Sequence, residues 1–187
     1  MSVYLISEQA IKDNTILNEN VDPKLIAPAI LESQDMHIQT LIGSGMYNKV
    51  VSLIPSGAIS LPANVNYKTL LDSYIQPCLK YYVLSELVLP MTIKLMNKSI
   101  ATRSAENSNA ISIDDMALVT ETFRNKAEWY GQRMINYLKD NYTLFPEYLT
   151  IIQSAYSTIL PKQASYTCGM FLDSIDEKYK MIFPNQP

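Results

Sequence analysis

The chain predicts an all-α fold, a bundle of four to six helices with an extended or hairpin arm around residues 92–111. Three observations carry this. Only five glycines occur in 187 residues, too few for glycine-rich phosphate loops or for a sandwich built on many tight turns, and no handicap to helices. Apolar residues recur at helical spacing through most of the chain. Several of these stretches also open on residues suited to capping a helix. Hydrophobic residues make up 48% and charged residues 18%, a globular balance for a length that fills one domain.

The elements follow in order. Ser7 precedes EQAIKDN and offers a hydroxyl to an otherwise unpaired amide, so a short helix begins there. In NVDPKL, Asp22 stands at an N-cap and Pro23 at the first helical position, where its missing N–H is harmless. Leu25, Ile26, Ala29, Ile30, His37, Ile38 and Leu41 then form an apolar stripe, with Pro28 placed to bend its start. Gly43 and Gly45 break the pattern. MYNKVVSLI follows as a short amphipathic helix that Pro55 and Gly57 terminate. PSGAISLPANVN reads as a surface loop dividing two helical halves.

From Tyr67, Leu70, Leu71, Tyr74, Ile75, Cys78, Leu79, Tyr82 and Leu87 line a core helix. Pro77 inside it predicts a kink or two abutting helices. Pro90 is read as its end. The next stretch changes character: residues 92–103 are expected as extended chain or a hairpin and residues 104–111 as loop, since no apolar stripe persists. Ser112 and Asp115 resemble a capping box. After them Met116, Val119, Phe123, Ala127, Tyr130, Met134, Tyr137 and Leu138 step by three or four residues with a polar opposite face, the clearest helix of the chain. A last helix starts near Pro146 and stops at Pro161. Residues 1–160 are thus read as one helical domain, and residues 161–187 as a tail that docks on it or on a neighbour.

The chemistry of sites is sparse. Fifteen Lys and Arg against 18 Asp and Glu leave a formal charge of -3, which argues against a grip on nucleic acid through phosphate neutralisation. Cys78 and Cys168 lie far apart without a CxxC pattern, so free thiols are expected and no zinc site. No basic leader and no run of 18 apolar residues appears, and a soluble protein of a reducing cell is the expectation. The single histidine, His37, lacks partners and is read as packed or at the rim of the core. Asp114 with Asp115 reads as helix-start charge, and Asp173, Asp176 and Glu177 as a solvated face. GSG at 43–45 lacks the lysine of a phosphate loop and reads as a turn between helices. No nucleophile elbow or triad is present. No catalytic residue, cofactor or metal is expected. The thirteen tyrosines suit positions that are apolar at one end and wet at the other, in core edges or in subunit contacts.

The order of LISEQAIKDNTILNENVDPKLIAPAI, LIGSGMYNKV, LLDSYIQPCLKYYVLSEL, KLMNKSIATRSAEN, FRNKAEWYGQRMINYL and FPEY resembles that of the helical head-tail connector, or neck ring, proteins of tailed bacteriophages, particularly the crAss-like phages. Ser99 departs from the glycine that such proteins carry after the Asn-Lys of the arm. The resemblance implies a non-enzymatic virion protein, made in the host cytoplasm. It would assemble in twelve copies as a ring under the portal, with further neck and tail proteins as partners and DNA passing only through the lumen. On that reading the arm, with Lys94, Asn97, Lys98, Arg103, Glu106 and Asn107, reaches an adjacent subunit or the portal. The alternatives are a helical protein-binding or regulatory module that forms no ring and, ranked last, an enzyme built on the carboxylates.

Overall fold

The structure, a computed structural model, describes residues 3–96, 99–102, 112–149 and 159–162. It is an all-α bundle bearing one β-hairpin. In order come α1 (Glu8–Asn14), α2 (Pro23–Ser33), α3 (Gln39–Leu53), α4 (Val65–Leu70), α5 (Gln76–Thr92), β1 (Ile93–Met96), β2 (Ser99–Thr102), α6 (Ile113–Asp140) and α7 (Pro146–Leu149). A π-helical turn, Gln34–Ile38, joins α2 to α3, and a second, Leu71–Ile75, joins α4 to α5. Counting each joined pair as one rod leaves five helical segments among the described residues.

The caps form as the sequence predicts. Ser7 Oγ accepts from Ala10 N at 3.1 Å, Asp22 Oδ1 from Lys24 N at 2.9 Å, and Ser112 Oγ from Asp115 N at 3.1 Å. Ser112 also donates to the Asp115 carboxylate at 2.7 Å, closing the α6 start. Each of these bonds satisfies an amide that the first helical turn leaves unpaired.

Proline is handled locally. Ahead of Pro77 the backbone widens, Gln76 N–H reaching Leu71 O five residues back, so α4 and α5 abut through a π turn instead of breaking. Pro28 lies within α2 without ending it. Pro90 does not end α5, contrary to expectation: the helix runs on to Thr92. Pro90 sits in the last turn, where the Thr92 hydroxyl donates to Val88 O and the Ile93 amide caps Leu89 O, so little is lost with its missing N–H. Gly43, with φ 80° and ψ 157°, kinks α3, whereas Gly45 has no positive φ. The expected loop after α3 holds two 3-10 turns, Ala58–Ser60 and Pro62–Asn64.

The core is one continuous cluster. Ile11 of α1, Ile26 and Ile30 of α2, Ile42, Met46 and Val50 of α3, Leu79, Val83 and Leu87 of α5, and Met134 and Leu138 of α6 are buried in it. Phe145 closes one end of it. Gln34 is buried as well, held because its Oε1 accepts from Leu5 N at 2.7 Å and its Nε2 donates to Val3 O at 3.0 Å. One amide thereby ties the amino-terminal segment to the first π turn. The stretch Ile159–Lys162 crosses the α3 kink: Ser44 N donates to Ile159 O, Ile159 N to Ser44 Oγ, and Lys162 N to Thr40 O. The start of the tail therefore docks on its own domain. Residues 163–187 lie outside the described residues, as does the expected continuation of α7 through 150–158.

Candidate interaction surface

The longest helix defines the surface. Twenty-eight residues make α6 about 42 Å long at ~1.5 Å per residue, and it packs antiparallel along α5. Every fully buried residue described on it lies from Ala127 onward, whereas Met116, Val119, Thr120 and Phe123 are half-buried. The first half of α6 and the end of α5 thus leave the core as a two-helix stalk. The hairpin stands on it.

Gly131 of α6 makes room for the Leu41 side chain of α3. A Cβ there would meet Leu41 Cδ1 at 3.1 Å and Cys78 Sγ at 3.7 Å. Cys78 donates to Ala127 O at 3.3 Å, and burial pushes its thiol up to about 12, so it is an inert core group. Above it the tyrosines pair across the seam: Tyr74 stacks on Tyr137 with ring centres 4.0 Å apart, and Tyr81 on Tyr130 at 5.5 Å. Arg133 covers Tyr74 at 4.9 Å, and Lys80 and Lys126 flank Tyr81. These rings are apolar inward and charged outward, the core-edge role the composition allowed.

A hairpin forms where an extended or hairpin arm was expected. β1 and β2 are antiparallel, with Ile93 opposite Thr102, Lys94 opposite Ala101, Leu95 opposite Ile100 and Met96 opposite Ser99. Of the arm residues singled out, Lys94 lies in β1. Asn97, Lys98, Arg103, Glu106 and Asn107 lie outside the described residues.

At the base of the hairpin a groove of about 730 Å³ runs between α5 and α6. Leu89, 52% exposed, and the half-buried Met116 supply apolar surface. Glu86, Glu121 and Glu128 supply three carboxylates, and Arg124 the one cation among the lining residues. Among the described residues, Glu121, Arg124 and Glu128 form no ion pair, and Glu86 faces only His37, whose Nε2 lies 3.2 Å away. Sequence reasoning missed this groove, because three carboxylates from two helices become neighbours only when α5 and α6 pack. The stepping of Glu121, Arg124 and Glu128 by three and four residues was the available signal.

Other residues singled out in the sequence lie at the core edge or on the surface. His37 stacks on Tyr82 with ring centres 4.0 Å apart, at the rim of the core. Asp114 and Asp115 are exposed at the α6 start. Cys168, Asp173, Asp176 and Glu177 lie outside the described residues. Among the described residues no group of three or more His, Cys, Asp or Glu could hold a metal, and no helix is long and apolar enough to cross a membrane.

A polar clamp fixes α7. Tyr67 donates to Glu147 Oε2 at 2.7 Å, and Lys49 Nζ lies 3.6 Å from Oε1. Burial, followed by the Glu147 bond, raises the Tyr67 hydroxyl. Burial also works to raise Glu147, but the Tyr67 donor, a backbone amide and Lys49 outweigh it and hold the carboxyl below its ordinary value. A depressed folded-state value stabilises above the unfolded-state value and is lost as pH falls through the folded one. Glu147→Gln should therefore lower stability near neutrality by about 1 kcal/mol or less, because the clamp is partly exposed. In urea titrations that difference should persist above the ordinary glutamate value and fade as pH falls below it; a difference unchanged in strong acid would contradict the assignment.

Fold and surface together define a helical bundle whose distinctive parts are a stalk, a hairpin and a groove. A family model described as a family of unknown function (DUF6712) matches residues 38–158, and the chain belongs to that family. The matched span begins at the end of the first π turn, includes the hairpin and α6, and extends past α7. No curated protein and no solved structure matches the chain.

Proposed function

We propose that this protein is a structural component of a phage virion, forming a ring between portal and tail with DNA passing through the lumen. The observation that carries the reading is the antiparallel hairpin set between α5 and α6, beyond the buried residues of both helices, which end at Leu87 and begin again at Ala127. The class of assembly is taken from the resemblance of the order of sequence segments to that of connector proteins. A cyclic ring, here of twelve copies, needs two different faces on each subunit. Hairpin and groove are two such faces. The net charge of -3 suits a lumen that DNA passes without being held.

Deleting residues 94 to 107 is the test. Co-expressed with the portal protein of the same phage, the full chain should give a ring-sized complex by light scattering and electron microscopy. The deleted chain should give none, while circular dichroism still reports its helices. Rings of normal size from the deleted chain would overturn the proposal. The rival reading, a helical binding module, predicts only small species from both chains.

A further inference from the structure

Resting on the ring reading, we infer that the α5–α6 groove receives the hairpin arm of a second copy of this chain. Charge makes the case. Glu86, Glu121 and Glu128 against Arg124 leave the groove with two negative charges in excess. Across residues 93–107, Lys94, Lys98 and Arg103 against Glu106 leave the arm with two positive charges in excess. Glu121 and Glu128 have no cation partner among the described residues, so the negative excess is not neutralised within the described part of the subunit. Leu89 and Met116 give the groove apolar surface, and the arm brings Ile93, Leu95, Met96 and Ile100.

Shape agrees with charge. Each strand of the hairpin is four residues, about 13 Å at ~3.3 Å per residue. Among the described residues the sheet has two strands, so each strand keeps one backbone edge without a strand partner. Such a ribbon can lie between two helices and satisfy its edge with side chains of the groove. Arm into groove is a head-to-tail contact between unlike faces, the kind that propagates around a ring. Complementary charge at its rim sets register and excludes the reversed arrangement.

Two charge-reversed chains test it. In one, Lys94, Lys98 and Arg103 are all replaced by Glu; in the other, Glu121 and Glu128 are replaced by Lys, both at exposed positions of α6. Sedimentation at low salt and up to about 1 mM protein should show self-association of the wild type that weakens as salt rises. Each variant alone should associate at least about tenfold more weakly, since like charges then meet. An equimolar mixture should recover association, because each arm now meets a groove of opposite charge. Circular dichroism checks that both variants fold.

A wild type that stays monomeric, variants that associate normally, or a mixture that does not recover would each overturn the assignment. Recovery only when both reversals are placed in one chain would also overturn it, by showing that an arm sits in its own groove. The outcome separates from that of the ring reading. Loss of rings on arm deletion without recovery in the mixture removes this groove and leaves the ring. Recovery in the mixture without any ring on the portal does the reverse.

Discussion

Phe145→Ala is expected to lower the stability of the protein by about 3–5 kcal/mol, the range for removing a large aromatic side chain from a packed core. Phe145 is fully buried and is the largest of the fully buried side chains described. Its ring meets Tyr67 edge-on at 5.6 Å and Tyr137 at 5.9 Å. Tyr67 lies on α4 and Tyr137 on α6, and Phe145 itself sits between the 3-10 turn Tyr142–Leu144 and α7. Truncation would leave a cavity where three parts of the chain meet, and neither neighbouring ring can fill it without giving up its own partner, Glu147 or Tyr74. A fall in melting temperature on the order of 10 °C should follow. Phe145→Leu keeps most of the buried volume and should lose only about 1–1.5 kcal/mol. Equal losses from the two variants would show that the aromatic volume is not what matters there.

Gly43→Ala should be the next most damaging single change, at about 2–4 kcal/mol, from two causes that can be separated. The first is local. At φ 80° and ψ 157° the backbone occupies a region that only glycine enters without strain. The second is tertiary. A Cβ at this position would stand 2.7 Å from Pro161 Cδ and 2.9 Å from Pro161 N, inside van der Waals contact, so the Ile159–Lys162 stretch would have to lift from the α3 kink. Urea unfolding of Gly43→Ala, Pro161→Ala and the double variant separates the causes as a double-mutant cycle. The alanine at 43 should be less damaging when Pro161 is absent, by roughly 1 kcal/mol. A neutral Gly43→Ala would contradict both causes.

Much of the fold could be read from local signals. Ser7, Asp22 and Ser112 all cap the helices they precede, because a cap is a contact between residues two or three apart and carries its whole cause in the local sequence. The α6 stripe is placed correctly for the same reason, its period being set by helix geometry. Pro90 does not end α5, because a proline's effect depends on whether its missing bond falls within a helix or in its last turn. The π turns were missed. A turn widened by one residue leaves the apolar pattern nearly intact while shifting which residues reach the core, and at Gln34 it turns a polar side chain inward to hold Leu5 and Val3.

The surface was legible only in part. Residues 92–103 stood out as an arm because no helical stripe ran through them, and the strands fall inside that range. The groove that faces outward beside the arm was not legible. Glu86 and Glu121 are 35 positions apart in the chain, and charge on each helix face alone reads as ordinary solvation.

The sequence by itself determined where helices start, which faces are apolar and where the helical pattern lapses, since each of these follows from side-chain type at short range. Only the tertiary structure decided that Gly43 must leave room for Pro161, that Phe145 closes the core against Tyr67 and Tyr137, and that three glutamates border one groove. Those facts depend on which surfaces meet when α3, α5, α6 and α7 pack, and close packing is a property of the whole set of contacts that no local stretch specifies.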